Sequence, residues 1–311
     1  MPILSRANTW MARTAVGLLW PCGATSCSRL SLKMHPAPCS MENGGQNRIF
    51  RVRAMVHQAS KNSIRLLSWN LWFDQFLQLE RLNAVLSQIV RLHPDIIAFQ
   101  ELTFNSENFF DDKSLPFSDI YHKIPRNVVD KSRYWEGIYT RFEFNSRFMR
   151  IPFQDSEMGR GLTVVHFSEF DLVVGCMHLE SEDNHDKRRD QLRQALTHFS
   201  YFRTRNKILT GDTNVRGEED IDDLLPDAWS DVWEQLMTND PGYTADSERN
   251  SLRQGGRRDR LDRVYCSCHD FKPQRVQLVG TEPLLHTDGS SFFPSDHFGL
   301  LVDFVAVGKK A

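Results

Sequence analysis

Five short polar motifs, each closing an apolar run, carry residue types suited to phosphodiester hydrolysis. They are Ser68-Trp69-Asn70, Phe99-Gln100-Glu101, Met177-His178-Leu179-Glu180-Ser181, Gly211-Asp212-Thr213-Asn214 and Pro294-Ser295-Asp296-His297. A phosphodiester is a slow anionic electrophile. Cleaving it takes a polarised phosphoryl oxygen, an oriented water and stabilised charge on the leaving group. Glu101, after the run Ile96–Phe99, is placed to project from a strand end, where a carboxylate suits Mg²⁺. Asp212 follows Ile208-Leu209-Thr210-Gly211, whose glycine permits a tight turn, and is expected to accept the proton of the attacking water. Asn70 and Asn214 offer amide donors either to phosphate or to Asp212. His297 stabilises phosphoryl charge as imidazolium if a carboxylate orients it and raises its pKa. Asp262, in Arg260-Leu261-Asp262-Arg263-Val264-Tyr265, is the expected partner. Taken singly, each motif reads as a turn or a solvated strand end; the five together carry the signal.

The elements that must position these residues follow from periodicity. Ile64–Trp69 reads as a buried strand and Asp95–Gln100 as a second. Between them Phe76–Leu92 places Phe76, Leu79, Leu82, Leu86, Ile89 and Val90 at helical spacing, and His93-Pro94 ends the helix. A crossover of this length favours parallel pairing. Gly137–Phe142, Leu162–Phe167 and Leu172–Met177 are strands, the last two joined by the short turn Ser168-Glu169-Phe170-Asp171. An amphipathic helix is expected over 186–205, then a strand Lys207–Thr210 delivering Gly211-Asp212. Leu261–Tyr265, Arg275–Val279 and Leu300–Val305 complete a two-sheet α/β sandwich.

Composition sets the limits. Of 311 residues, 40% are hydrophobic and 21 are Phe, enough for a sizeable core. The formal net charge of −2 leaves nucleic-acid binding to local patches, such as Lys187-Arg188-Arg189 and Arg253 to Arg263. No apolar run reaches the length of about 18 residues that a membrane span needs. Residues 1–60 are expected to be a disordered leader or targeting segment, ahead of a catalytic domain over 61–308. Residues 1–41 contain no Asp or Glu but carry Arg6, Arg13, Arg29 and Lys33, a composition compatible with an organelle transit peptide. Cys266 and Cys268 lie on one face of a strand, which reads as a buried thiol pair rather than a zinc site.

The set Trp69-Asn70, Gln100-Glu101, His178, Gly211-Asp212-x-Asn214 and Ser295-Asp296-His297 resembles the endonuclease/exonuclease/phosphatase superfamily. Finer features resemble its 5′-tyrosyl-DNA phosphodiesterase branch: Thr213 after the Gly-Asp pair, Arg216, Leu225-Pro226, Asp231-Val232-Trp233-Glu234, Leu261-Asp262-Arg263 and Phe293 through Leu300. The resemblance implies an α/β fold, a four-layer αββα sandwich of two mixed β-sheets flanked by helices. It implies a Mg²⁺-dependent hydrolase, with Mn²⁺ as the alternative cation, that cleaves the bond between a topoisomerase tyrosine and a DNA 5′ end in DNA repair. Its partners would be DNA 5′ ends carrying a covalent tyrosine or peptide, and single-stranded DNA, with no membrane and no ubiquitin-binding domain.

Glu101 and Asp296 would serve the metal, and Asp212 would be the base. Asn70, His178, Asn214 and His297 would surround the phosphate, and Asp262 would orient His297. Ser181, Arg216 and Trp69 would contact substrate, Arg216 through a cation–π contact with the tyrosine ring. Ala245 stands where this branch carries Trp, so an aromatic wall is expected to be missing. The alternative reading is another metal-dependent phosphodiesterase or nuclease of the superfamily: an abasic-site endonuclease, a deadenylase, or a phosphoinositide or sphingolipid phosphodiesterase. Nuclear residence is expected, with the mitochondrion as the alternative that the acid-free leader allows.

Overall fold

The computed structural model describes residues 62–125, 133–142, 148–217, 219–285 and 289–308. The leader over 1–60, with its transit-peptide reading, lies outside them. The described residues all fall within one compact unit, Ala54–Ala311.

In chain order the elements begin β1 (Ser63–Asn70), α1 (Gln78–Leu92), β2 (Ile96–Leu102), α2 (Phe104–Phe110), α3 (Pro116–Ile120), β3 (His122–Lys123) and β4 (Trp135–Thr140). Next come β5 (Phe148–Pro152), β6 (Gly161–Phe167), β7 (Leu172–His178), α4 (His185–Ser200), β8 (Asn206–Asp212), β9 (Ser230–Asp231) and α5 (Val232–Leu236). The remainder are β10 (Ala245–Asp246), β11 (Arg258–Asp259), β12 (Asp262–Cys268), β13 (Phe271–Val279), β14 (Leu284–Leu285), β15 (Ser291–Phe292) and β16 (Gly299–Ala306).

One six-stranded sheet runs β13-β16-β1-β2-β4-β3 and the other β5-β6-β7-β8-β12-β9. Each is mixed, with one parallel pair: β1 beside β2, and β7 beside β8. Alternation along the strands sorts side chains into three apolar layers. Ile64, Leu66, Ile96, Ala98, Val174, Cys176, Ile208 and Val302 meet between the sheets. Leu67, Trp69, Ile97 and Phe99 face outward onto Leu82, Val85, Leu86 and Ile89 of α1. Val173, Met177 and Leu209 face outward onto Leu192, Ala195 and Phe199 of α4. The expected αββα sandwich is the observed one.

Three local expectations need correction. Helix α1 starts at Gln78, and Phe76, Leu79 and Val90 of the supposed stripe are 50% or more exposed. Leu77 is left-handed at φ 44, and the Arg81 guanidinium gathers the carbonyls of Leu71, Trp72, Asp74 and Phe76 into a loop that the helix cannot absorb. Helix α4 stops at Ser200, five residues early. Strand β13 begins at Phe271, before the predicted start, with a register shift between Pro273 and Arg275 where proline cannot donate to the ladder.

The tight turn expected at Gly211 is not there: Gly211 lies within β8, in register with Met177 and Arg263. The φ of +142 at Gly211 belongs to glycine, and a Cβ there would meet the Met177 carbonyl oxygen at 1.8 Å. Gly211→Ala is expected to cost about 3 kcal/mol or more, because β7 and β8 must separate to admit the methyl group. Urea unfolding checks this; a variant within about 1 kcal/mol of the parent would contradict the packing described.

Candidate active site

The five motifs converge because the strands that end in them are neighbours. Asn70 pairs in register with Gln100, His178 with Asp212, and Asp212 with Asp262. The loop before β16 adds Ser295, Asp296 and His297. It is pinned by Ser295 Oγ, which donates to the Asn70 carbonyl at 2.6 Å and accepts the His297 amide at 3.1 Å.

Asp212 is the hub. Its Oδ2 accepts from Asn70 Nδ2 at 2.9 Å and lies 3.2 Å from His178 Nε2 and 3.9 Å from His297 Nε2. Its Oδ1 accepts the Asn214 amide at 2.9 Å. Burial pushes its carboxyl up, but the two imidazoles and this amide outweigh it and hold Asp212 well below the usual carboxylate range. Of the two partners expected for Asn70, this contact is with Asp212. Asn214, left-handed at φ 52, donates to the Leu179 carbonyl at 3.1 Å.

The two histidines are held in opposite states. Burial, reinforced by the Arg160 guanidinium, takes His178 down to about 4. Arg160 Nη1 sits 2.5 Å from His178 Nδ1. A guanidinium only donates, so Nδ1 is the acceptor and the ring hydrogen sits on Nε2, facing Asp212. His297 is buried too, which lowers it, but Asp262, Asp296 and Asp212 overcome burial and raise it to about 10. Its Nδ1 lies 2.7 Å from Asp262 Oδ2, the predicted partnership. Burial raises the Asp262 carboxyl and His297 opposes it.

Glu101 is not at the end of β2; it is a bulge within it. The register against β4 shifts between Phe99 and Leu102, and Glu101 takes φ 59. Bulges re-aim side chains, and here Oε2 accepts the Phe73 amide at 2.9 Å. Burial and the neighbouring Asp296 carboxylate raise Glu101 to about 7. Asp296 accepts Arg253 Nη1 on Oδ2 at 3.1 Å. A buried carboxylate whose ionisation is opposed by a second carboxylate beside it fits a hard divalent cation.

The expected substrate contacts divide. Ser181 Oγ lies near the site, 3.4 Å from Arg160 Nη2 and 3.1 Å from Met158 Sδ. Arg216 is half-buried and lines a groove of about 640 Å³ with Glu182, Arg257 and Arg258. Trp69 does not fit as a contact. It is 0% exposed in the layer under α1, where Gly299 leaves room for its ring. Its indole N–H donates to the His297 carbonyl at 3.0 Å, so it supports the catalytic loop from behind. Ala245 is buried in β10 and presents no ring.

The basic patches are also largely committed inside the protein. Arg188 is fully buried on Glu219 at 2.5 Å, Arg189 pairs with Asp223, Arg260 with Asp231 and Arg263 with Asp222. Lone basic residues of this kind cannot be told from nucleic-acid contacts until their partners are known. Arg160 and Tyr134 escaped the sequence reading; neither lies in a motif. Tyr134 lies under the Arg160 guanidinium at 5.1 Å and stacks on Phe73 at 4.7 Å.

A model of the Endonuclease/Exonuclease/phosphatase family matches residues 67–297. Tyrosyl-DNA phosphodiesterase 2 of Bos taurus is 29% identical over 262 residues, covering 79% of this chain and 69% of that protein. The Mus musculus protein of the same name is 30% identical, covering 77% and 65%. The chain spans about two thirds of the length of these curated relatives. Among solved structures, D. rerio TDP2 complexed with single strand DNA product superposes with a TM-score of 0.67 at 27% identity, over 78% of this chain and 98% of that one. Truncated Caenorhabditis elegans TDP2 gives 0.68 at 25%, with the same two coverages.

The charged His297–Asp262 pair makes a signed prediction. A histidine raised from 6.5 to about 10 contributes stability fully present below pH 6.5 and lost as pH rises through about 10. Turnover should fall over the same alkaline window. Asp262→Asn should lower kcat by about 100-fold or more and bring the alkaline limb down towards neutral pH. An unmoved limb in the pH–rate profile would refute the pairing.

Proposed function

This chain belongs to the Endonuclease/Exonuclease/phosphatase family, and from that premise we propose that it is a 5′-tyrosyl-DNA phosphodiesterase of DNA repair. It hydrolyses the bond between a topoisomerase tyrosine and a DNA 5′ end, leaving a 5′-phosphate. The observation that carries the hydrolytic reading is the convergence on Asp212 of Asn70, His178, Asn214 and His297 in one buried cluster. The substrate reading is supported by the names of the relatives and by the DNA product held by the D. rerio structure.

The chain's own residues divide the work. Asp212, ionised and held by Asn70 and Asn214, accepts a hydrogen bond from the attacking water. Its weak proton affinity couples proton transfer to formation of the P–O bond. Neutral His178 gives its Nε2 hydrogen to Asp212 and keeps that carboxylate in place, and His297 presents a full positive charge where phosphoryl charge builds. Asp262 keeps that charge in place. Glu101 and Asp296 would hold the cation, for which we favour Mg²⁺, and a cation bound there would supply Lewis-acid polarisation and charge neutralisation at the phosphoryl group. Arg216, on its groove, receives the tyrosine ring, with Ala245 leaving the opposite wall open. Nuclear residence accords with this substrate.

Incubation with a 5′-phosphotyrosyl oligonucleotide and Mg²⁺ is expected to release tyrosine. No release, alongside cleavage of an abasic duplex, an RNA tail, an inositol phosphate or a sphingolipid, would move the assignment to another member of the family. Glu101→Ala and Asp212→Asn should each cut release by about 1,000-fold or more without loss of fold, read by circular dichroism alongside the assay.

A further inference from the structure

Glu136 of β4 and Arg150 of β5 form an ion pair that crosses from one sheet to the other. Arg150 Nη2 lies 3.1 Å from Glu136 Oε2, and the Arg150 and Glu136 side chains are 3% and 2% exposed. Among the described residues, the only other ion pairs with both side chains at 5% exposure or less join His178 and His297 to Asp212 and Asp262. Taking two charges out of water offsets most of their attraction, and an apolar pair of similar volume holds a fold as well or better. Stability alone does not account for this pair.

Both partners reach beyond each other to one short stretch of backbone. Glu136 Oε1 accepts the Gly161 amide at 3.2 Å, and Arg150 Nη2 donates to the Gly159 carbonyl at 2.9 Å. Thr163 Oγ1, further along β6, donates to the Glu136 carbonyl at 3.1 Å. The guanidinium lies close against Gly161, where a Cβ would come within 3.1 Å of Arg150 Cζ. The stretch held in this way leads to the catalytic cluster. Gly161 stands opposite His178 in the ladder of β6 and β7, and the residue between the two held peptide groups meets His178 Nδ1. An occupied Nδ1 keeps the ring hydrogen on Nε2, 3.2 Å from Asp212 Oδ2.

We propose that Glu136 and Arg150 are positioning residues for His178. By fixing the Gly159 carbonyl and the Gly161 amide, the pair sets the tautomer of the His178 ring and its aim at Asp212. Neither residue touches the reacting atoms; both act through the start of β6. The inference rests on the Asp212-centred hydrolytic reading above, but not on the tyrosyl substrate.

The test separates orientation from stability, using the whole chain. The double variant Glu136→Leu with Arg150→Met removes both charges together and leaves neither stranded, so its urea midpoint should stay near that of the parent. Glu136→Gln is isosteric, but its amide nitrogen must face either Arg150 or the Gly161 amide, so one tie is lost. Arg150→Lys keeps the charge and donors for both oxygens. Long-range ¹H–¹⁵N spectra of the histidine rings, with the His178 signals assigned by their absence in His178→Gln, read the tautomer without substrate. The parent should show His178 as one Nε2–H tautomer, the double variant and Glu136→Gln a mixture of two, and Arg150→Lys the parent pattern. On the 5′-phosphotyrosyl oligonucleotide, kcat should fall by about tenfold or more in the double variant, with KM within about twofold of the parent. A mixed tautomer in the parent, an unchanged His178 signal in Glu136→Gln, or an unchanged kcat in a folded double variant would each overturn the proposal. Failure of the functional reading looks different: the parent releases no tyrosine, although its His178 signal responds to the substitutions as expected.

Discussion

The catalytic end is organised around one buried carboxylate. Asp212 is 2% exposed and ionised, and an ionised group survives burial only when donors and positive charge surround it. Those donors come from β1, β7, the turn after β8 and the loop before β16. Both sheets must therefore be in register before Asp212 is satisfied. The two parallel pairs, β1 with β2 and β7 with β8, bring strand ends of both sheets to the same edge. Gly211, within β8, lets that strand pass close against Met177.

Around that hub the protein keeps two chemically identical side chains in different charge states. His178 faces a guanidinium and is neutral at physiological pH; His297 faces carboxylates and is charged. Two groups of one type are pushed apart by environment into an uncharged N–H donor to Asp212 and a cation beside it. The carboxylate side is managed by backbone geometry. A bulge turns Glu101 out of β2, and the Arg81-organised loop supplies Phe73's amide to hold it. Trp69 and Ser295 serve the same end from behind, fixing the backbone on which His297 is mounted.

The periphery shows why charge counts mislead. Most of the arginines that look like a nucleic-acid track are paired with acids from other segments, so their charge is neutralised locally. Arg160, which belongs to no basic run, is buried against His178.

Much of this protein is legible in its residues alone. Period-two and helical patterns locate the central strands, α1 and α4, because burial on one or both faces imposes those repeats locally. Asn70, His178 and Asp212 stand at strand ends with Glu101, Asn214 and His297 close to one, and the Asp262–His297 pairing follows from the chemistry a charged imidazole needs. What sequence could not decide depends on contacts between distant segments. Whether Trp69 touches substrate or core, whether Phe76 belongs to α1, which arginines are paired, and which histidine carries the proton are all set by neighbours far away in the chain. Spacing reports only local geometry. Burial and charge pairing exist only once the two sheets have closed on each other.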